Sequence, residues 1–474
     1  MNFQEKQQEY ARLIVENGAA IQKGQELVLR CPAECWEFGR MIVKAGYEAG
    51  AKEVIVHWGD DEVARLRYEY APMEVFENVP KWRADSMNSY AENGAAFIAI
   101  TAENPNAFKG VDREKQMAAA KANDKAMEPY YKRMVSSQVQ WVVAAVPGKE
   151  WAKQVFPEKS EAQAMESLWE AIFCAVRIQD GDAVQAWREH DALLSEKCEI
   201  LNKYQFTELH YENEAGTDFR VGLVKNHIWE GGSEESGSGV RFIANMPTEE
   251  VFTMPDCRKA EGKVVSSRPL SYRGNLIKDF SLTFHEGKVV DFDAGEGYDA
   301  LKQLLDTDEG SKSLGEVALV PYASPISEMG ILFYNTLFDE NASCHLALGE
   351  CYPTTVQDGE KMNEEELHQI GGNHSINHVD FMIGTKDMKI TGITEDGKEM
   401  PVCTTSEIKL LGSHNHENIL AAIGITYYMG VPLEKIRDAV MKFTAVEHRI
   451  EYVDTVDGVD YYNESVYHQI STWK

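Results

Sequence analysis

The sequence predicts an α/β domain with a parallel sheet, then a mostly β (α+β) domain, and then a short third segment of helix and strand. Three observations lead to this prediction. Apolar, β-branched runs alternate with longer helical patterns up to about residue 190. Short strand-like segments and glycine-rich turns follow from about residue 204, and the pattern changes again at Cys403. A chain of 474 residues is expected to form about two to four domains, and we divide it into residues 1–190, 191–402 and 403–474.

The first domain has the element order of a parallel sheet covered by helices. Its apolar, β-branched runs lie at residues 26–29, 53–56, 95–100 and 139–146. The helical patterns between them lie at residues 34–45, 61–70 and 113–134. Two more helices are predicted, one with an apolar face at residues 168–176 and one at residues 184–203. We expect the aromatic stripe on that apolar face to be core.

The second domain is predicted from short strands separated by turns. These strands lie at residues 209–211, 219–224, 262–265, 280–284 and 316–320. Residues 231–239 are rich in glycine and serine, which is typical of a loop.

Motifs and composition argue against several classes of function. Neither G-x-G-x-x-G nor G-x-x-x-x-G-K-[ST] occurs, so nucleotide binding by the first domain is not supported. The net charge of −30 argues against nucleic acid as a partner, because phosphate binding requires a basic surface. No apolar signal core follows Met1, and no apolar run approaches the ~20 residues of a membrane span. We therefore predict a cytoplasmic protein with no membrane partner. The eight cysteines are scattered, which argues against a disulfide framework.

Four segments of the second domain concentrate residue types that bind metal ions. They are TEEVFTMPD at residues 248–256, GEVALVPYASPISEMG at 315–330, FDENASCHLALGECYP at 338–353 and NHSINHVDFMIG at 373–384. Glu249 and Glu250 are adjacent in a predicted strand, so they point to opposite faces and only one can face a given site. His378 and Asp380 are two residues apart in a strand-like run, so both lie on one face. Glu316 opens an apolar strand, where a buried carboxylate needs a partner.

This mixture of carboxylates and imidazoles suits zinc, cobalt or manganese. Two such ions about 3.5–4 Å apart can activate a water and polarise a carbonyl, which is the chemistry of an amide hydrolase. Taken singly, however, a histidine or glutamate on a strand is more often a hydrogen-bonded structural residue. No segment contains a compact zinc motif such as H-E-x-x-H.

The four segments resemble those of the thermophilic-type metalloaminopeptidases, the group of aminopeptidase T, aminopeptidase S and PepS. GAAIQKGQELVL at residues 18–29 and AGYEAGAKEVIVHWGD at residues 45–60 belong to the same resemblance, which spans about the first 400 residues. The resemblance implies metal ligands at six positions: Glu250, Glu316, Glu340, His345, His378 and Asp380. Of these, Glu316 or Asp380 would bridge two metals, and Glu340 would ligate them or lie just behind them. His374 would be outside the ligand set or on the surface, and Glu249 would be structural.

The resemblance also implies the reaction. It indicates an aminopeptidase that removes N-terminal residues through a hydroxide activated by two divalent ions per subunit, Zn²⁺, Co²⁺ or Mn²⁺, with Mg²⁺ as an alternative. Glu316 or Glu340 would accept the proton, and Tyr352 would hydrogen-bond the oxyanion. The substrates would be small peptides with a free N-terminus, and the protein would be a homodimer. Two alternatives stay open: another two-metal amide hydrolase such as a deacylase, and a nucleotide-binding or ligase function carried by the third segment.

The third segment resembles a different enzyme, the Mur ligase that adds D-glutamate to UDP-N-acetylmuramoyl-L-alanine. The matching stretches are SEIKLLGSHNHENILAAIG at residues 406–424, AVEHRIEYV at 445–453 and GVDYYNES at 458–465. The ligase's phosphate-binding loop and substrate domain are absent from the sequence. We therefore interpret residues 403–474 as a joined fragment, from a gene fusion or an assembly or cloning artefact. Helices are expected from residue 418 and at residues 433–442.

Overall fold

The structure, a computed structural model, describes residues 1–102, 104–178, 182–401, 435–437, 440, 451–456 and 459–463. Its helices are α1 (Phe3–Leu13), α2 (Trp36–Glu48), α3 (Asp61–Tyr70), α4 (Lys81–Glu92), α5 (Arg113–Ala126), α6 (Glu128–Val135), α7 (Lys149–Val155), α8 (Glu161–Ala175), α9 (Ala183–Tyr204), α10 (Tyr298–Leu305), α11 (Pro325–Met329), α12 (Thr336–Asp339) and α13 (Glu364–Ile370). Its strands are β1 (Glu26–Pro32), β2 (Glu53–Gly59), β3 (Ala96–Thr101), β4 (Trp141–Ala145), β5 (Glu208–Glu212), β6 (Asp218–Leu223), β7 (Glu234–Glu235), β8 (Arg241–Phe242), β9 (Asn245–Met246), β10 (Val251–Thr253), β11 (Pro255–Val265), β12 (Leu270–Tyr272), β13 (Asn275–His285), β14 (Lys288–Glu296), β15 (Leu314–Leu319), β16 (His345–Gly349), β17 (His378–Met382), β18 (Lys389–Ile393), β19 (Glu399–Pro401), β20 (Glu451–Val456) and β21 (Val459–Asn463).

The parallel sheet predicted for the first domain is present. Its strands lie in the order β2-β1-β3-β4-β9, and all neighbouring pairs are parallel. In β1, which lies between β2 and β3, the consecutive residues Leu27, Val28 and Leu29 are all buried. A strand covered by helices on both faces has no solvent side, so its sequence is a continuous apolar run rather than an alternating one.

The prediction of a single helix at residues 113–134 is wrong, because two helices occupy this stretch. The first, α5, ends at Ala126, and α6 begins at Glu128 with Pro129 in its first turn. Proline has no N–H to donate to the preceding turn, and its ring clashes with the carbonyl four residues earlier. It is well tolerated at the start of a new helix, where that N–H would have no partner.

The main core of the first domain also receives side chains from the second domain. The predicted apolar face of α8, including Leu168, is buried in this core. Phe333 and Phe338 of the second domain lie in the same core, with their rings stacked 4.7 Å apart. The indole nitrogen of Trp151 donates a hydrogen bond to the carbonyl of Phe333. The first domain therefore holds the segment that leads to Glu340.

The second domain is mostly β, as predicted, and contains two larger antiparallel sheets. One sheet has the strand order β12-β13-β11-β6-β5-β18-β19, with β14 paired to β13. The other has the order β10-β15-β16-β17. Both sheets contribute to one phenylalanine-rich core, whose members include Phe219, Phe280, Phe284 and Phe381.

The division that we predicted at residue 190 falls inside α9, and it stays a prediction. This helix runs without interruption from Ala183 to Tyr204. Beyond it, β9 returns to pair with β4 in the parallel sheet of the first domain. A continuous helix and a shared sheet thus connect the two halves.

Only a small part of the third segment is described. Strands β20 and β21 form an antiparallel pair. The helix predicted from residue 418 lies outside the described residues, and of the helix predicted at 433–442 only residues 435–437 and 440 are described, as helix. Within the part of the chain that the structure describes, no helix is both long enough and apolar enough to cross a lipid bilayer.

Candidate metal centre

The four-stranded sheet brings several of the predicted site residues to one of its faces. Ala347 of β16 lies opposite Glu316 of β15 and also opposite Asp380 of β17. Residues directly opposite each other in neighbouring antiparallel strands share a face. His345 is two residues before Ala347, and His378 is two residues before Asp380, so both histidines lie on that same face. The prediction that His378 and Asp380 share a face is confirmed.

Glu250 is the residue just before β10, the strand that pairs with β15, and its side chain reaches the same face. Its Oε2 lies 3.0 Å from Nε2 of His345. Its neighbour Glu249 instead forms a two-point ion pair with Arg177. This contact agrees with the expectation that Glu249 is structural.

Glu316 lies between the two histidines. Its Oε1 is 3.5 Å from Nε2 of His345, and its Oε2 is 3.6 Å from Nε2 of His378. Nε2 of His378 is also 3.4 Å from Oδ1 of Asp380. Glu316 therefore belongs to two clusters of possible metal-binding atoms, one with Glu250 and His345 and the other with His378 and Asp380.

Two backbone carbonyls orient the histidine rings. Nδ1 of His345 is 3.2 Å from the carbonyl oxygen of Ser343, and Nδ1 of His378 is 2.8 Å from that of Glu350. In the neutral ring, the nitrogen that faces a carbonyl carries the proton, which places the lone pair on Nε2, beside the carboxylates. We did not predict either carbonyl from the sequence, since a backbone acceptor leaves no signal in residue type.

The residues of this face fit a divalent cation. Oε2 of Glu250 is buried and has no hydrogen-bond partner, although Nε2 of His345 is only 3.0 Å away. A buried carboxylate oxygen and a histidine nitrogen this close together are the usual kinds of donor to zinc, cobalt and manganese.

Burial and charge shift the pKa values of these groups. Burial raises the pKa of the Glu316 carboxyl, and it raises that of Glu340 well above its ordinary range, with Asp380 and Glu250 as further causes. Burial lowers the pKa of the His345 imidazole, but the carboxylates of Glu250 and Glu316 outweigh it and leave that pKa well above its usual value. All three shifts follow from an excess of negative charge in a space with little water.

Glu340 and Tyr352 lie at the margin of the two clusters. Glu340 follows α12 and lines a small cleft with Asp380 and Met382. Tyr352 is 39 % exposed, and its ring centroid is 4.8 Å from that of His378. Burial of its hydroxyl, followed by the nearby Glu316 and Asp380 carboxylates, raises the pKa of Tyr352 well above the usual value. The Tyr352 hydroxyl thus lies near the carboxylates.

His374, which was expected outside the ligand set or on the surface, is exposed. It pairs with Glu350 at 3.0 Å and lies 3.9 Å from Glu364. Among the described residues, one further cluster could hold a cation: His210, Glu212 and Asp218. That cluster lies on the β5–β6 hairpin, and its two carboxylates are exposed.

The sequence and fold of this chain are similar to those of characterised proteins. The family described as thermophilic metalloprotease (M29) matches residues 3–407. Aminopeptidase AmpS of Bacillus subtilis (strain 168) is 50 % identical over 401 residues, which is 85 % of this chain and 98 % of that protein. The solved structure of wild-type AmpT from Thermus thermophilus has a TM-score of 0.79 and 38 % identity, and the similarity covers 85 % of this chain and 98 % of that one.

A short stretch of the chain is similar to a second enzyme. The UDP-N-acetylmuramoylalanine–D-glutamate ligase of Lachnoclostridium phytofermentans is 54 % identical over 71 residues, which is 15 % of this chain and only 16 % of the ligase. Both resemblances predicted from the sequence are therefore confirmed. Because the family match extends over most of the chain, and because the relatives within it are aminopeptidases, this chain belongs to the thermophilic metalloprotease (M29) family and is a metallopeptidase.

Proposed function

We propose that this chain is an aminopeptidase that removes the first residue of small peptides with a free N-terminus. One observation carries the proposal: Glu316 faces a different histidine with each of its carboxylate oxygens. A carboxylate in that position can bridge two cations. We therefore propose two divalent ions per chain, Zn²⁺, Co²⁺ or Mn²⁺, held by Glu250, Glu316, His345, His378 and Asp380.

The proposed ions would lower the pKa of an attacking water and polarise the first peptide carbonyl. The protein's own part is to remove the proton from that water. Both oxygens of Glu316 face histidines, whereas Glu340 lies at the margin of the two clusters. A carboxylate whose oxygens are not both directed at the proposed metal-binding histidines is the better placed of the two to accept that proton. We therefore favour Glu340 over Glu316 as the general base, with Glu340 as a ligand being the alternative.

Tyr352 is proposed to donate a hydrogen bond to the oxyanion that forms as water adds to the carbonyl. Its raised pKa keeps the phenol protonated, so the hydroxyl can donate. The Tyr352 ring packs against the rings of His378 and Phe252, with its centroid 4.8 and 5.9 Å from theirs. These contacts support a fixed direction for the hydroxyl, which electrostatic stabilisation requires.

The carboxylates of the site are also proposed to bind the substrate's free α-amine. Their excess negative charge would attract an ammonium group, and the relatives of known activity are aminopeptidases. A deacylase, which also hydrolyses an amide but needs no free amine, is the second candidate. The homodimer implied by the resemblance and the cytoplasmic location predicted from the sequence both stay predictions.

We further propose that residues 403–474 are a fused ligase fragment with no part in the peptidase reaction. The similarity to the ligase covers 16 % of that enzyme, and the M29 match ends at residue 407. Strand β19, the last strand of the large sheet, ends at Pro401. The catalytic fold is therefore expected to need nothing beyond this strand.

Metal dependence can be measured directly. Treatment with a chelator should abolish hydrolysis, and Zn²⁺, Co²⁺ or Mn²⁺ should restore it. Glu316→Gln should lower the bound metal below the wild-type content, measured by elemental analysis, because the bridging charge is lost. Glu212→Gln, in the exposed cluster, is the matched control and should keep the wild-type content. Full activity of a metal-free sample would contradict the proposal.

The substrate can be tested with pairs of peptides that differ only at the N-terminus. A peptide with a free amine should be hydrolysed, and its N-acetylated form should not, because an amide cannot pair with the carboxylates. Release of the first residue is followed by chromatography. Equal rates for both members of a pair would favour the deacylase.

The role of Tyr352 predicts a specific kinetic defect. Tyr352→Phe removes only the hydroxyl, so kcat should fall by about 10²-fold, the scale for loss of one oxyanion donor, while KM changes little. Phe108→Ala, which alters an aromatic side chain of the first domain, serves as the control. If kcat is unchanged in Tyr352→Phe, the residue has no part in the reaction.

The tail can be tested by truncation. A chain that ends at Val402 should retain the wild-type kcat/KM for peptides, because every strand of the large sheet is kept. A chain that ends at Asp387 also loses β18 and β19 and should not fold, which circular dichroism would detect. The full chain should not join D-glutamate to its ligase substrate with ATP. Loss of peptidase activity on ending at Val402 would mean that the tail is integral.

A further inference from the structure

A buried network lies directly behind Glu250. The neighbouring Glu249 is 3 % exposed, and its two carboxylate oxygens accept hydrogen bonds of 2.5 and 2.8 Å from the two terminal nitrogens of Arg177. This parallel, two-point contact fixes the direction of the Glu249 side chain more strongly than a single bond would.

Asn341 connects this network to the other side of the site. It is fully buried, and its Oδ1 accepts a hydrogen bond of 2.6 Å from the backbone N–H of Glu249. Its Nδ2 donates to the carbonyl of Leu337 at 3.0 Å and lies 3.5 Å from Oε1 of Glu340. Its own carbonyl accepts a bond of 2.9 Å from the hydroxyl of Ser324. A single amide thus spans the gap between the backbone next to Glu250 and the turn of Glu340.

Arg177 belongs to a different part of the chain. It lies in the turn after α8, in the first domain, with a left-handed backbone at φ +58°. Its guanidinium is 5.7 Å from the ring of Trp187, which is fully buried. A second contact across the same boundary is made by His190, whose Nε2 is 2.8 Å from the carbonyl of Thr248. The two residues before Glu250 are therefore bound to α9 and to the turn after α8.

We infer that Asn341, together with the Arg177–Glu249 pair, positions Glu250 as a metal ligand and holds Glu340 beside the metal site. This inference rests on the proposed function. Adjacent residues of an extended chain point in opposite directions, so fixing Glu249 on one side fixes the direction of Glu250 on the other. The bond from the Glu249 N–H to Asn341 then sets the separation of Glu250 from the turn of Glu340.

A purely structural role explains this arrangement less well. A buried ion pair loses its hydration, so apolar residues of similar volume would stabilise the fold as well or better. Groups that hold a metal ligand, by contrast, contribute to metal affinity, and their removal typically lowers it by about 10–100-fold.

The test measures Co²⁺ affinity of the full chain by competition with a chelator. Asn341→Ala should lower the affinity by roughly 10–100-fold. Asn213→Ala is the matched control, because Asn213 likewise accepts a backbone N–H bond, from Thr217 at 3.0 Å, in the turn between β5 and β6. It should retain the wild-type affinity. Arg177→Lys keeps the charge but loses the two-point contact, and should show a smaller loss in the same direction.

The melting temperature with and without Co²⁺ separates positioning from general stability. If Asn341 positions ligands, the gain in melting temperature on adding Co²⁺ should shrink in Asn341→Ala. If the variant melts lower by the same amount with and without Co²⁺, and binds Co²⁺ as the wild type does, the inference is overturned. Should Asn341→Ala not fold, Arg177→Lys decides, and a wild-type affinity in that variant overturns it too. A wild type that binds none of Co²⁺, Zn²⁺ and Mn²⁺ would instead refute the proposed function.

Discussion

The arrangement of the second domain depends on the negative charge gathered on one face of its small sheet. Glu250, Glu316 and Asp380 are all buried there, and the histidines between them have their Nδ1 protons committed to carbonyls. Buried carboxylates without compensation are strongly unfavourable. A cation between these groups would compensate the negative charge around Glu316 and bind the Glu250 oxygen that has no hydrogen-bond partner. Small Ala347, lying between Glu316 and Asp380, leaves room above the sheet.

This face cannot be understood from the second domain alone. The segment with Glu340 is held by Phe333 and Phe338 in the aromatic core of the first domain, and the side chain of Glu249, the residue before Glu250, is paired with Arg177. Packed cores resist small displacements, because close-packed side chains have few alternative arrangements. The helices of the first domain thus hold two parts of the proposed site in place, the segment with Glu340 and the residues before Glu250.

The sequence predicts the parts of this structure that arise from local periodicity. The apolar run of β1, the buried face of α8 and the common face of His378 and Asp380 all follow from repeats of 2 or 3.6 residues. The prediction of one helix at residues 113–134 failed because the helical sequence pattern continues through Pro129, whereas the helix itself is interrupted just before this proline. The contacts that Arg177 and Asn341 make with Glu249 were not predictable. They join residues that are 72 and 92 positions apart in the chain, so they depend on the paths of the loops between them.

The exposed cluster of His210, Glu212 and Asp218 shows why residue type alone is a weak guide to a metal site. It contains a histidine and two carboxylates, as does the cluster of Glu250, Glu316 and His345. In the exposed cluster, however, each ring nitrogen of His210 faces a carboxylate, Nε2 at 2.8 Å from Asp218 and Nδ1 at 3.8 Å from Glu212. Water solvates these carboxylates, so nothing there requires a cation. In the buried cluster a carbonyl fixes the tautomer and solvent is excluded, and those two constraints together make it the better candidate for a metal centre.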